Sequence, residues 1–470
     1  MTLTTKSSMG SRPYEAVLML LAGLGWLGAQ GPTPDPRALG MAGAVTSIVE
    51  GIHVVGYNPA RLAYSPEGLS MNLGGITLGL VNNFLSVSNY NRFNGADFID
   101  TTASEYEDKQ KFLDDIPREG IRFKTSMHLP IPILNWARGT TAFSSEVVVF
   151  GDMGLPKALV LLLMEGNPIG QELDLALENE VIGVAEWGFS FSVPLENVAF
   201  GFTLKYLQGL FYLGVDPDTS FGYLRTEATG LQGEGRYLIR QAVGGSGLGL
   251  DLGFATREID GFQMGISLIN ALGSIRWHGP SITKDIMGDF LQGFMPWREN
   301  EYYLYTYSIK DVTLERFQEA STDSIFQKKG ITVVETETGL IPSDSLTNSQ
   351  LKEINLRPFV TDYPALFRLG ISKRFEGVGT ASVDLTTGFQ DRLWASRGWQ
   401  LAFGVELFPT PSFPIRMGLR YGGRNQQQLG IGFGVHLGVI HFDAAMAFHN
   451  GLWLHTTKGL SLAFGFTLVR

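Results

Sequence analysis

In the last segment of the chain, Leu460, Leu462, Phe464, Phe466 and Leu468 alternate with Ser461, Ala463, Gly465 and Thr467. Successive side chains of a β-strand point to opposite faces, so this segment makes one large apolar face and one small or polar face. The pattern recurs upstream. Leu429, Ile431, Phe433, Val435 and Leu437 alternate with Gly430, Gly432, Gly434 and His436, and Ile415, Met417, Leu419 and Tyr421 with Arg416, Gly418, Arg420 and Gly422. Leu401, Phe403, Val405 and Leu407 alternate with Ala402, Gly404 and Glu406, and Trp187, Phe189, Phe191 and Val193 with Gly188, Ser190 and Ser192.

Strands are read near residues 69–80, 120–129, 140–150, 184–194, 198–213, 246–257 and 262–278. The others lie near 364–376, 379–390, 398–408, 413–423, 428–437, 439–448 and 460–470. That is about 14 strands, an even number, as single-chain membrane barrels have. A soluble sandwich also alternates, because one of its faces is core. Here the apolar face is large and aromatic in one segment after another, while the other is mostly Gly, Ala and Ser with scattered charges. A lipid-facing exterior around a polar lumen gives that combination. The expected fold is therefore all-β: a transmembrane antiparallel β-barrel with an N-terminal hatch and long extracellular loops.

The connections support this order. With the first strand running outward, the periplasmic connections are Pro130–Gly139, Leu195–Asn197, Ile259–Gly261, Gly377–Val378, Pro409–Ser412 and Gly438, all short. The outer ones include 81–119, 151–183, 214–245 and 279–363, all long. Short periplasmic turns and long outer loops are the barrel rule. The 214–245 stretch has strand character of its own and is read as a hairpin projecting outside the membrane; as two spanning strands it would give 16.

Composition sharpens the picture. Gly accounts for 58 of 470 residues, about 12% against roughly 7% on average, which suits strands that pack closely or bend. The absence of Cys excludes disulfides, thiolate metal sites and Cys nucleophiles. A net charge of -10 argues against nucleic-acid binding, which needs a basic face. At the N-terminus, Lys6 and Arg12 precede the apolar run Ala16 to Leu27, and Ala29 offers a small residue for cleavage. The run is too short to span a bilayer as a helix and reads as an export signal. The expected organisation is a signal peptide over 1–29, a hatch over 30–68 and a barrel over 69–470, placed in the outer membrane of a diderm bacterium after cleavage.

The run Arg37-Ala38-Leu39-Gly40-Met41-Ala42-Gly43-Ala44, followed by Tyr57-Asn58-Pro59-Ala60-Arg61-Leu62-Ala63, resembles the N-terminal hatch of the FadL-type long-chain fatty-acid transporter superfamily. The segments Leu80 to Phe84 and Asn89 to Gly95 are more specifically similar to an uncharacterised branch of such porin-like barrels, itself similar to barrels that assist type IX secretion. The hatch resemblance is fairly specific; along the barrel it is one of pattern. It implies a 14-stranded barrel plugged by a small hatch, with the Asn-Pro-Ala motif near the substrate path. Asn58, Pro59 and Ala60, with Gly40 and Gly43, are thus the first site candidates. Read physically, the glycines permit close backbone approach, and Asn58 before Pro59 favours an extended or turn backbone. The motif also reads as no more than the turn that leads into the first strand.

Two further features carry candidate chemistry. Leu155 to Met164, with Leu159, Leu161, Leu162 and Leu163, is an apolar helix at the rim, bounded by Pro156 and Gly166. Such a helix either packs under loops or forms part of a hydrophobic landing groove. Arg368, Arg374, Asp384, Glu406, Arg416, Arg420 and Asp443 take inward positions on one wall. Opposite signs on neighbouring strands suit an ion network anchoring the hatch, or a cationic patch for a substrate carboxylate.

Catalysis has little support. No H-E-x-x-H, G-x-S-x-G or P-loop occurs, and His436 with Asp443 lacks a nucleophile beside it. No cofactor, metal or enzyme activity is expected. The expected function is uptake of hydrophobic small molecules or fatty acids through a plugged barrel embedded in outer-membrane lipid. The alternative is a docking or shuttle barrel that meets secretion or envelope proteins. The 279–363 loop, with 13 acidic and 8 basic residues, leans toward the alternative. A lumen filled by hatch and side chains would also favour docking, and a continuous apolar path past Asn58 would favour transport.

Overall fold

The computed structural model describes residues 35–277, 301–312, 327–354, 356–423 and 427–470. The export signal, with its expected cleavage at Ala29, lies outside the described residues.

Fourteen strands close into an antiparallel ring. They are β1 Leu69–Asn82, β2 Ile121–Pro130, β3 Thr141–Leu155, β4 Glu180–Pro194, β5 Val198–Val215, β6 Gly230–Thr256 and β7 Phe262–Trp277. The ring continues through β8 Leu366–Phe375, β9 Gly379–Gly388, β10 Gln400–Leu407, β11 Ile415–Gly422, β12 Gln427–Leu437, β13 Ile440–His449 and β14 Gly459–Val469. Each strand pairs with its neighbours in this order, and β14 returns to β1 with Leu80 opposite Leu460 and Ser70 opposite Val469. Closure leaves the ring without an edge, which is what lets strands cross lipid.

The alternation read along the chain is the inside–outside alternation of this wall. Phe189, Phe403, Leu419, Phe433, Phe464 and Phe466 are exposed on the outer face. Their neighbours Ser190, Ala402, Ser461, Ala463 and Thr467 are buried inside. The short-turn end is tight: Gly438, between β12 and β13, has φ 62°, a backbone that favours glycine.

At the other end the wall outgrows a membrane. Strand β6 has 27 residues, whereas a spanning strand needs about 9–11. Its first half rises beyond the ring and pairs with the strands Phe221–Glu227 and Glu301–Val312, the latter pairing onward with Gln327–Thr336. The 214–245 segment is thus a projecting hairpin, and the count stays at fourteen. The 279–363 connection, expected as a long loop, contributes this pairing. It covers the hairpin's flank and makes an outer sheet.

None of residues 35–68 joins the sheet. They form the hatch: a short helix Pro36–Gly40, the 3-10 turns Gly51–Val54 and Pro59–Tyr64, and irregular backbone between. Leu39, Met41, Ala42, Val45, Val54 and Ala60 are buried within the ring.

Candidate functional site: the hatch and the lumen

The small inner face is a bed for the hatch backbone. A Cβ on Gly418 would lie 2.2 Å from the Met41 carbonyl carbon, one on Gly201 2.3 Å from the Ala60 nitrogen, and one on Gly430 2.3 Å from the Leu39 oxygen. Main chain fits against main chain only because these positions carry no side chain. The glycines that alternation alone assigns to a polar lumen therefore face protein. Gly40 belongs to the same contact, since its own Cβ would stand 3.1 Å from Gly432 Cα. Gly43 differs: it has φ 88°, and a Cβ there would make only an ordinary contact with Arg420 Nη1 at 3.7 Å.

Asn58 caps the turn Pro59–Tyr64, its Oδ1 accepting from the Ala60 N–H at 3.1 Å. Its Nδ2 donates to the Thr46 carbonyl at 3.2 Å and to the Phe254 carbonyl of β6 at 3.1 Å. Both amide hydrogens are thus used, one fastening the hatch internally and one to the wall, and none is left for a ligand. Asn58 and Ala60 have no exposed surface, and Pro59 is buried with them. Among the described residues the motif is closed in by wall backbone: a Cβ on Gly253 would lie 2.3 Å from Asn58 Oδ1.

The inward charges sort into three groups. Glu406 accepts from Arg416 Nε at 2.7 Å and from Arg37 of the hatch at 3.1 and 2.6 Å, and Arg416 also donates to Asp443. His436 Nε2 stands 3.3 Å from the same Asp443. Burial alone would pull the Arg37 guanidinium down, but the Glu406 carboxylate more than reverses it, so the pKa lies above its ordinary value. In the second group, Asp384 accepts the hatch N–H groups of Val45 and Thr46 at 3.1 and 2.8 Å. Arg374 sits half-exposed at the rim and pairs with Glu258 at 3.1 Å.

Arg368 and Arg420 form the third group. No carboxylate pairs with either among the described residues. The Arg368 guanidinium lies 4.8 Å from the centre of the Tyr57 ring, its Nε buried and unpartnered. Arg420 faces Gly43 with its Nη1 3.7 Å from where a Cβ would be. Beside them Gln428, 1% exposed, has neither amide atom satisfied. In the hatch, burial pushes the Arg61 guanidinium down to about 10 against the pull of Glu50.

The opposite wall carries a polar belt that the strand reading passed over. Lys205 of β5 lies 3.0 Å from Asp251 and 3.5 Å from Glu186, and donates to Asn270 at 3.0 Å. Glu186 stands directly across from Glu146, which lies 3.1 Å from His128, and accepts from the Tyr363 hydroxyl. The signal was available: Glu186 shares parity with Gly188 and Ser190, and Lys205 lies between the exposed Leu204 and Tyr206. Buried charges so arranged must be paired, and these are.

Above the belt the lumen is apolar and packed. Val148, Phe150, Ile182, Val184, Leu207, Tyr212, Trp277 and Tyr302 form one buried cluster there. The rim helix spans Lys157–Glu165. Leu161 packs on the Phe84, Phe93 and Phe112 cluster, and Leu162 on Leu173 and Leu224. Leu159 is half-buried, leaving Leu163 as the exposed leucine. The helix is a wedge between loops.

A closed fourteen-stranded ring with a separate helical hatch inside it defines a plugged antiparallel β-barrel. Residues 59–290 match a family of unknown function (DUF5723). Among solved structures, a Pseudomonas aeruginosa FadL homologue superposes with a TM-score of 0.50 at 14% identity, covering 94% of this chain and 99% of that one. The P. putida toluene transporter TodX gives 0.48 at 9% identity over 93% of this chain and 99% of its own. The CymD monoaromatic hydrocarbon channel gives 0.45 at 11%, over 93% and 98%. No curated protein matches the sequence. At these identities the likeness concerns the fold.

Proposed function

We propose that this chain is an outer-membrane transporter that admits hydrophobic small molecules through a barrel closed at rest by its hatch. One observation carries the reading: the hatch lies inside a complete ring and shares no ladder with it. It can shift without opening the wall. Export with cleavage near Ala29 and an outer-membrane location belong to the same reading. Glu406, Asp384 and Asn58 are the fastenings. The filled lumen fits a closed transporter as well as a docking barrel, and no comparison favours docking.

Arg368 and Arg420 are the proposed site for a polar head. One buried and one half-buried guanidinium group, neither within ion-pair distance of a carboxylate among the described residues, gain most from an arriving anion. Cells lacking their own transporter but expressing this chain should take up radiolabelled oleate faster than vector controls. Replacing both arginines by Gln should lower oleate uptake while sparing toluene. Heat-modifiable barrel in the outer membrane, with neither compound taken up, would overturn the proposal.

A further inference from the structure

The loop 389–399, between β9 and β10, opens at the long-loop end of the ring. Loops there ordinarily run over the surface. This one does not. Phe389, Asp391, Arg397 and Trp399 are exposed, but between them Leu393 is 2% exposed, Ala395 0% and Ser396 5%. The tip dips into the mouth of the barrel.

Its seat is specific. Leu393 belongs to the apolar lumen cluster, and the Trp394 ring lies 4.3 Å from Phe150 and 4.8 Å from Tyr363. Lys124 of β2 donates its ammonium hydrogen to the Leu393 carbonyl at 2.6 Å. Arg392 holds the neck of the loop by a bidentate pair with Glu180 of β4 and by a bond to the Asp362 carbonyl at 2.6 Å. The loop is thus tied to three separate strands or segments around the mouth.

The same seat contains features that oppose insertion. Leu393 has φ 49°, a left-handed backbone that a leucine seldom adopts. The Trp394 indole N–H is buried without a partner. Such local strain persists only where surrounding structure imposes it, and it clusters at ligand clamps and switch regions.

We propose that residues 389–399 form a second closure in series with the hatch, an outer stopper latched by Arg392 on Glu180. The polar latch sits at the partly exposed rim, and the tip's contacts are apolar. An apolar molecule arriving at the mouth offers Phe150 and Tyr363 the same kind of contact that Leu393 and Trp394 provide. Movement of the hatch alone would then leave the path blocked. The stopper goes beyond the uptake reading and shares with it only the premise that the lumen is a path.

The chain has no native Cys, so single thiols report cleanly. Ser144 is buried on the inner face of β3, on the hatch side of Phe150. Full-length Ser144→Cys protein in detergent should react slowly with a small charged methanethiosulfonate. Adding Leu393→Gly and Trp394→Gly should raise that rate at least tenfold, with the barrel still heat-modifiable. Equal rates would overturn the stopper. A second variant leaves the tip intact: Arg392→Cys with Glu180→Cys. Bridging the two thiols with a bifunctional methanethiosulfonate long enough to replace the two side chains should abolish oleate uptake and reductant should restore it, and uptake unaffected by a bridge shown to have formed would also overturn the stopper. No uptake in either state, bridged or released, would count against the transport reading, and the labelling rates would then decide the stopper alone.

Discussion

Replacing Gly418 by Ala adds one methyl group to the inner wall, and the structure says what it meets. The new Cβ would stand 2.2 Å from the Met41 carbonyl carbon and 2.6 Å from the Ala42 nitrogen. Both are backbone atoms of the hatch, so no side-chain rotation relieves the clash. Overpacking a close-packed site typically costs about 1–3 kcal/mol, and a contact against main chain belongs in the upper half of that range. A loss of about 2–3 kcal/mol from hatch docking raises the undocked population about 30- to 150-fold. Arg61, 2% exposed in the docked hatch, reports that population. Trypsin cleavage at Arg61 in the folded, detergent-solubilised barrel tracks the open fraction when opening is fast relative to cleavage. Leu419→Ala, on the lipid face of the same strand, should leave cleavage unchanged. Indistinguishable rates for Gly418→Ala, Leu419→Ala and the parent would refute the glycine bed.

Phe433→Arg places a charge on the lipid face, at about 2–4 kcal/mol near the bilayer midplane; heat-modifiability after outer-membrane fractionation should show less folded barrel, and normal insertion would mean the register is wrong. Asn58→Leu removes the amide's bonds to the Thr46 and Phe254 carbonyls and strands the Ala60 N–H, at about 1–3 kcal/mol for the stranded group, and should accelerate the same tryptic cut at Arg61. Glu406→Gln removes the charge between Arg37 and Arg416, at about 3 kcal/mol. Its melting temperature should fall further than that of Glu258→Gln at the rim.

The wall was legible because each strand repeats a two-residue rule, and Leu460 to Leu468 states it without interruption. The site was less legible, because it depends on what faces the inner surface. Gly418 and Gly430 read as the polar side of a lumen, and only the fold shows Met41 and Leu39 pressed against them. Alternation places Gly434 only on the small face, whereas the fold shows that a Cβ there would stand 2.5 Å from Asp443 Oδ1 and 2.8 Å from Pro414. Asn58 was found through its motif, while its use of both amide hydrogens needed coordinates. Lys205, Asp251 and Glu186 lie far apart in sequence, and their meeting follows from strand order. Leu393 and Trp394 carried no periodic signal, since a loop tip that folds inward has none.

The central claim is that the hatch stands in the path and must move for anything to pass. Position 465 faces the start of the hatch, where a Cβ would lie 3.4 Å from Pro36 Cγ. A full-length chain with Pro36→Cys and Gly465→Cys can therefore be tied shut by oxidation and released by reductant. Radiolabelled oleate uptake by cells carrying it should fall to the vector level when oxidised and return when reduced. Uptake at the same rate in both states would contradict the claim.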